Sequence, residues 1–387
     1  MSTTVVAVSA RLRPMSSQPE SNAPQVTEAI DLHNRTRLVA LFGGQSAEHE
    51  ISLITARNVL SHVDTARFEI IPVAVTVDGQ WVIATDAAKL LAGNRDDLPR
   101  ALPTTGTPTD PWQVVKSAGD QAVVVLPLMH GPFGEDGTVQ GLLEMAGVAY
   151  VGCGVLASAL AMDKSKAKAV FDAAGIPQAK FKSFHEQQLD DGAIDDLEAQ
   201  FGYPMFVKPA NLGSSVGVSK AHNRDALIQA CALASHYDEY VVVEESINGR
   251  ELECSVLGNL DPTASLPCEI RPAAEVYDYD DKYGTAGAEQ IIPAELPADV
   301  TEALQAMAIE AYKALGCEGM ARVDFFYDEQ GRGLMVNEVN TIPGFTPNSM
   351  YQPMWAASGL SYPDLVNELI RLAIERFNRR VSKRRTE

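Results

Sequence analysis

Apolar and polar positions divide this chain into repeated strand, turn and helix units. Leu38 to Phe42 is an unbroken apolar run that stops at Gly43-Gly44, and after Gln45 to Ser52 a helical periodicity takes over from Leu53 to Val63. Phe68 to Val75 reads as a second strand. Ala122 to Leu128 reads as a third, followed by the glycine-rich turn Met129 to Gly137 and a helix from Thr138 to Ala146. Strand-turn-helix units in succession predict a parallel sheet with helices on its faces. Leu98 to Gly119, with prolines at 99, 103, 108 and 111, reads as a loop-rich connection. Further on, a lysine-rich helix runs from Asp163 through Lys164, Lys166 and Lys168 to Gly175. Strands follow at Pro204 to Lys208, Tyr240 to Glu245 and Leu252 to Leu257, and an amphipathic helix at Pro297 to Gly316. Val276 to Tyr283, VYDYDDKY, has no periodicity and reads as a lid or a disordered loop.

Ala321 to Thr341, ARVDFFYDEQGRGLMVNEVNT, reads as a β-hairpin, with Gly331 and Gly333 among the residues between its arms. With Asp328 opposite Leu334, counting back sets Asp324 opposite Glu338 and Arg322 opposite Asn340. Side chains alternate faces, so Arg322 and Asp324 share one face, as do Glu338 and Asn340. Two carboxylates and an amide then converge beside an arginine, an all-oxygen donor set suited to Mg2+ and completed by substrate phosphates. A solvent-facing polar stripe with one surface ion pair has the same alternation. The sharp turn Asn340 to Thr346, directly after the last candidate ligand, can bring backbone N–H groups to the same place.

Other stretches offer compatible chemistry. The strand ending at Lys208 leads into Ala210 to Lys220, ANLGSSVGVSK, a glycine-serine turn between two strands. Its N–H groups and the hydroxyls of Ser214 and Ser215 can meet phosphate oxygens, with Lys208 as the fixed charge; a plain hairpin turn is the competing reading. No Walker A motif occurs. Glu244, Glu245 and Glu251 stand at strand ends, where carboxylates can hold an adenine amino group and ribose hydroxyls or can simply be solvated. Glu48 lies near a helix N-terminus, where negative charge is favoured in any case. It also follows the C-terminal end of a strand, where ligands bind in open α/β sheets. Gly152 to Ala157 fits the dinucleotide pattern G-x-G-x-x-A, but its strand is short, and Asp172, the acidic residue about twenty positions on, falls in a helical pattern. It reads as a tight strand-to-helix turn.

Length and composition narrow the classes. A chain of 387 residues with 46% hydrophobic content suggests two or three well-packed domains. No run approaches the roughly 18 apolar residues of a membrane span. Residues 1–36 lack a basic segment ahead of the short patch Val5 to Val8, and are expected to be a disordered extension and not a signal peptide. The five cysteines are odd in number and without metal-ligand spacing, as expected of reduced core thiols in a cytoplasmic protein. A net charge of −20 speaks against nucleic-acid binding. The basic end, Arg376 to Arg385, reads as cations offsetting the dipole of a last helix and then fraying.

GGQSAEHEIS from Gly43, HGPFGEDG from His130, MDKSKAK from Met162, VKPANLGSSVGVSK from Val207, YDYDDKY from Tyr277, ARVDFFYD from Ala321 and NEVNTIPGFTPNSM from Asn337 stand in that order. From about Leu38 to Phe377 the chain resembles the D-alanine–D-alanine ligases of the ATP-grasp superfamily. Departures are the N-terminal extension, the proline-rich insert and Glu244-Glu245, where relatives often have Glu-Lys. The resemblance implies an α/β ATP-grasp fold: an N-terminal parallel-sheet domain over 37–160, a central lobe over 161–248 and a C-terminal lobe over 249–378, with a basic tail over 379–387. It implies a cytoplasmic homodimer that uses ATP and D-alanine and binds neither nucleic acid nor membrane.

The same resemblance implies residue roles. Asp324, Glu338 and Asn340 would hold two Mg2+ ions, with Mn2+ as a substitute. Lys164, Lys208, Lys282 and Ser215 would serve the phosphates, and Glu244 and Glu251 the nucleoside. Arg322 and the N–H of Gly344 would stabilise an oxyanion, and Glu48 would pair with the ammonium of the first D-alanine. Ser214 and Tyr283 would be linked to Glu48 by hydrogen bonds. His130 would lie near the first substrate as a neutral imidazole or a buried structural histidine; Ser349 and the N–H of Met350 would take the second carboxylate. A D-alanine–D-lactate ligase and a non-catalytic nucleotide-binding protein are the alternatives. The intact Arg322, Asp324, Glu338 and Asn340 set speaks against the second of these. Tyr283 speaks for D-alanine as acceptor, because a phenol with a pKa of about 10 cannot turn cationic and repel an ammonium as histidine can.

Overall fold

The computed structural model of the chain describes residues 36–94, 97–115, 122–271 and 288–384. The proposed lid, with Lys282 and Tyr283, and the N-terminal extension up to residue 35 lie outside the described residues.

The first sheet is built from β1 (Thr36–Gly43), β2 (Phe68–Val75), β3 (Trp81–Ile83), β4 (Thr107–Pro108), β5 (Val123–Pro127) and β6 (Ala149–Tyr150), in the order β4-β3-β2-β1-β5-β6. Strand β1 is central and parallel to both β2 and β5. Its unbroken apolar run follows from burial on both faces: Leu38, Ala40 and Phe42 enter one core, Val39 and Leu41 another. The expected parallel sheet is therefore present, but β3 and β4 add an antiparallel edge. The proline-rich connection is not all loop, since it contributes β4, whose Pro108 costs no ladder bond at a sheet edge, and the short helix α3. The flanking helices are α1 (His49–Ser61), α2 (Thr85–Ala92), α3 (Pro111–Val115), α4 (Thr138–Ala146) and α5 (Val155–Met162).

The lysine-rich helix is α6 (Lys164–Ala174), started by Asp163, whose carboxylate accepts the N–H groups of Ser165 and Lys166. The second sheet is antiparallel, in the order β7-β10-β8-β9, from β7 (Phe181–His185), β8 (Met205–Pro209), β9 (Ser219–Ala221) and β10 (Tyr240–Glu245). Helices α7 (Asp191–Phe201) and α8 (Arg224–Tyr237) cover one face, packing Leu197 and Leu227 against Met205, Val207, Val241 and Val243. Alternation turns Lys208 and Glu244 to the other face.

The third sheet has the order β14-β13-β11-β15-β16, with β12 (Thr263–Ala264) paired to β11. Its strands are β11 (Arg250–Gly258), β13 (Cys268–Arg271), β14 (Glu289–Ile291), β15 (Gly319–Asp328) and β16 (Gly333–Asn340). Helix α9 (Ala298–Ala314) packs Leu304, Ala308 and Ala311 on Leu252, Val323, Val336 and Val339.

The last helices, α10 (Tyr351–Ala357) and α11 (Tyr362–Arg384), turn back to the first sheet. Leu365, Val366, Leu369 and Ile370 share one core with Leu38, Phe42 and Leu126. The basic end is more than a dipole cap. Arg376 is 3% exposed and donates to the carbonyls of Gly152 and, at 2.8 Å, Tyr150, with its guanidinium 4.3 Å from the Tyr150 ring centre. Arg379 and Arg380 bond Glu318, and Arg380 also bonds Glu144, so these cations dock the helix in place of fraying. All five cysteines are unbridged and buried. Among the described residues no helix is long and apolar enough to cross a membrane.

Candidate active site

One cavity of about 690 Å3 is lined by strand residues of the second and third sheets and by Glu48, His130 and Glu135 from the turns that follow β1 and β5 of the first. Its floor is the β15–β16 hairpin. Asp328 pairs with Gly333, one residue away from the expected Leu334, because the turn is one residue shorter. A β-bulge at Asn337 then inserts one residue into β16, so that Asp324 faces Glu338 and Arg322 faces Asn340 after all. The two displacements cancel. The bulge also turns Asn337 and Glu338, consecutive residues, both into the cavity lining.

The Arg322 guanidinium grips Asp324 through two bonds of 2.7 Å and stands 3.3 Å from Glu253. Burial opposes its charge, but Asp324 and Glu253 outweigh burial and hold its pKa well above the ordinary value. Asn340 Nδ2 donates to Asp324 at 3.0 Å, and Lys164 Nζ lies 3.7 Å from Glu338. Among the described residues no three His, Cys, Asp or Glu side chains form a metal site by themselves. The donors here are two carboxylates and an amide on one face of a hairpin, with a cationic side chain against each carboxylate. That all-oxygen, charge-demanding set fits a hard divalent cation whose remaining ligands come from phosphate or water.

Lys208 bonds Glu244 at 2.9 Å, and Lys168 lies 3.3 Å from the other oxygen of the same carboxylate. Both Glu244 and Lys168 are 2% exposed. Burial raises the Glu244 carboxyl, but the two lysines outweigh it and keep its pKa below the usual range. Burial lowers the Lys168 pKa, partly offset by Glu244. Glu251 lines the same cavity.

Over the Lys208 side lies the loop from Ala210 to Val218, in which Ser214 and Ser215 hold φ of 50° and 58°, a left-handed conformation non-glycine residues rarely take. Lys164 Nζ donates to Leu212 O at 2.5 Å and ties this loop to α6. Ser214 Oγ donates to Glu48, the residue preceding α1, so the expected link between them is present. Gly131 lets the next turn approach: its φ is +72°, and a Cβ there would stand 2.6 Å from Glu48 Oε2. His130 is buried beside Thr55 Oγ1, 3.0 Å from its Nε2, and burial lowers its pKa against the pull of Glu48, so the imidazole is neutral. Glu135 Oε1 accepts the Gly131 N–H at 2.6 Å. Burial, then the neighbouring Glu48, push the Glu135 carboxyl up to about 8.

The turn after β16 closes the far side. A Cβ on Gly344 would lie 2.6 Å from Ser349 Oγ, which accepts the Thr346 N–H at 3.0 Å, and Met350 immediately precedes α10. Gly344, Ser349 and Met350 all line the cavity. Every described candidate residue thus reaches one cavity. Sequence reasoning missed Lys168, Glu253, Asn337 and Glu135. The signal for Lys168 was available: it falls on the buried stripe of α6 with Ser165, Ala167 and Phe171, where a charge needs a partner.

Residues 37–153 match the family model described as D-ala D-ala ligase N-terminus, and residues 170–371 the one described as D-ala D-ala ligase C-terminus. A D-alanine–D-alanine ligase from Acetivibrio thermocellus is 42% identical over 366 residues, spanning 89% of this chain and 97% of that one. The solved D-alanine-D-alanine ligase from Coxiella burnetii superposes with TM-score 0.77 at 36% identity, covering 91% of this chain and 97% of its own. The solved VanG D-Ala:D-Ser ligase from Enterococcus faecalis gives 0.76 at 37% identity, covering 88% and 100%.

Proposed function

The chain belongs to the D-alanine–D-alanine ligase family, with the ATP-grasp fold, and from that premise we propose that it joins two D-alanines at the expense of ATP for peptidoglycan synthesis. A donor carboxylate oxygen attacks the γ-phosphorus and ADP leaves. The amine of the acceptor attacks the resulting acyl phosphate at its carbonyl carbon, inorganic phosphate leaves, and the amine proton goes to solvent. Such chemistry needs alignment and charge neutralisation more than covalent help.

The observation that carries this reading is the convergence of the Arg322, Asp324, Glu338 and Asn340 face with Lys208, Lys164 and the Glu48–Ser214 pair in one cavity. Lys164 and Lys208 serve the triphosphate with Ser215 and Lys282, while Glu244 and Glu251 serve the nucleoside. Two Mg2+ ions, replaceable by Mn2+ and held by Asp324, Glu338 and Asn340, would neutralise phosphate charge. Glu48 takes the donor ammonium beside His130, and the Ser214 bond, with Tyr283, keeps its carboxylate oriented and the compartment closed to water. Arg322 and the Gly344 N–H stabilise the oxyanion of the acceptor's attack, and Ser349 with the Met350 N–H holds the acceptor carboxylate. The assembly we propose is a cytoplasmic homodimer.

Pure protein incubated with ATP, Mg2+ and D-alanine should release phosphate and D-alanyl-D-alanine in equal amounts, followed by mass spectrometry. ATP turnover without dipeptide would overturn the reading. Equal D-alanine, D-lactate and D-serine in competition identify the acceptor; a depsipeptide or D-alanyl-D-serine as the major product would remove D-alanine from that role.

A further inference from the structure

The proposed mechanism leaves Lys168 without a task, although it is as enclosed as Glu244, at 2% exposure. Three elements build its place. It stands one helical turn after Lys164 on α6, its ammonium lies 5.5 Å from the Phe181 ring centre, and Phe181 is the cross-strand partner of Glu244. Its Nζ faces Glu244 Oε1 at 3.3 Å, and neither atom has a hydrogen-bond partner of good geometry. Lys208 takes Glu244 Oε2 at 2.9 Å and reaches Asn337 Oδ1 at 3.4 Å.

One carboxylate is thus shared by two ammonium groups of unequal freedom. Lys168 is 2% exposed and walled in; Lys208 is 12% exposed and faces the cavity. Were Lys208 the sole partner of Glu244, moving it to a phosphate would strand a buried anion, which is costly. With Lys168 present the group carries one surplus positive charge, and Lys208 can change partners while Glu244 stays compensated.

We propose that Lys168 is a positioning residue for the nucleotide: it holds Glu244 ionised and in place so that Lys208 is free to bind the triphosphate. The proposal rests on reading this cavity as the nucleotide site, and binding measurements separate the two. Titration calorimetry with the Mg2+ complex of a non-hydrolysable ATP analogue should show Lys168→Met at least about tenfold weaker than wild type, the scale expected when one partner of a buried pair is lost. The KM for D-alanine should stay near wild type, and Lys168→Arg should recover most of the affinity. Compared with Glu244→Gln alone, adding Lys168→Met should cost less than about twofold, because the charge it compensates is gone. That comparison also holds if Lys168→Met by itself does not fold. Wild-type affinity in Lys168→Met, or an undiminished loss in the Glu244→Gln background, would overturn the role of Lys168. Failure of the wild type to bind nucleotide would overturn the cavity reading instead.

Discussion

Replacing Arg322 by methionine should destabilise the protein far more without divalent metal than with it. The guanidinium compensates Asp324 through two bonds of 2.7 Å and stands 3.3 Å from Glu253. Two charge-assisted bonds at about 1.5–3 kcal/mol each give a gross loss of roughly 3–6 kcal/mol. Asp324 keeps the Asn340 amide at 3.0 Å, so the net loss should sit near the low end, about 3 kcal/mol. A divalent cation held at Asp324, as proposed, would supply the missing charge. In the wild type it would first have to displace the guanidinium, whereas in Arg322→Met it would meet a carboxylate without that partner. The deficit measured by urea unfolding in EDTA should therefore shrink to about 1 kcal/mol or less in saturating Mn2+. By linkage, a 2 kcal/mol recovery means metal binding about thirtyfold tighter in the variant. Ligase kcat should fall roughly 100- to 1000-fold, as for loss of an oxyanion donor. An equal deficit in EDTA and in Mn2+, or one under about 1 kcal/mol in EDTA, would refute the idea that Arg322 stands in for a metal on Asp324.

Glu338→Gln should abolish turnover in a folded protein, since a neutral amide cannot replace a metal-ligating carboxylate; activity above about a tenth of wild type, a barrier change of only 1.4 kcal/mol, would remove Glu338 from the metal site. Glu135, pushed up to about 8 by burial and Glu48, favours the native state fully below its unfolded pKa near 4.5, and that contribution is lost as pH rises through 8. Glu135→Gln should accordingly flatten the fall of ligand-free stability between about pH 5 and 8; an unchanged slope would show that Glu135 titrates normally. Arg376→Met forfeits two buried carbonyl partners and the Tyr150 ring, a cost of about 2–4 kcal/mol by denaturation, with D-alanine and ATP KM values unchanged. A loss below about 1 kcal/mol would mean that apolar packing alone docks the last helix.

Sequence and structure agree most where burial imposes a clear hydrophobic pattern along the whole element. Phe68 to Val75, Thr138 to Ala146 and Tyr240 to Glu245 have the boundaries read from the sequence. The three-residue strand Trp81–Ile83 and the two-residue strand Thr107–Pro108 are too short to show a period, and pairing alone defines them. At the hairpin the facing of Asp324 and Glu338 was legible, but the bulge at Asn337 was not, because nothing in NEV distinguishes a bulged ladder from a regular one. Lys168 and Glu244 lie 76 positions apart and Arg376 and Tyr150 further still, so the pairing of those charges is a property of the fold alone. The arginines of the basic end were visible as a group, but their partners Glu144 and Glu318 were not.

The return of the last helix to the first sheet sets a timetable for synthesis. Strands β1 to β6 are complete at Tyr150, yet the core holding Leu38, Phe42 and Leu126 also needs Leu365, Leu369 and Ile370. About 200 residues must still be added before that face is covered, on the order of 10–40 s at ordinary elongation rates. Through that interval the nascent first sheet offers a bare apolar surface with a parallel ladder, the kind of intermediate that aggregates or recruits a chaperone. A message cut short before α11 would yield a product with every lining residue of the cavity encoded and one face of its first sheet uncovered.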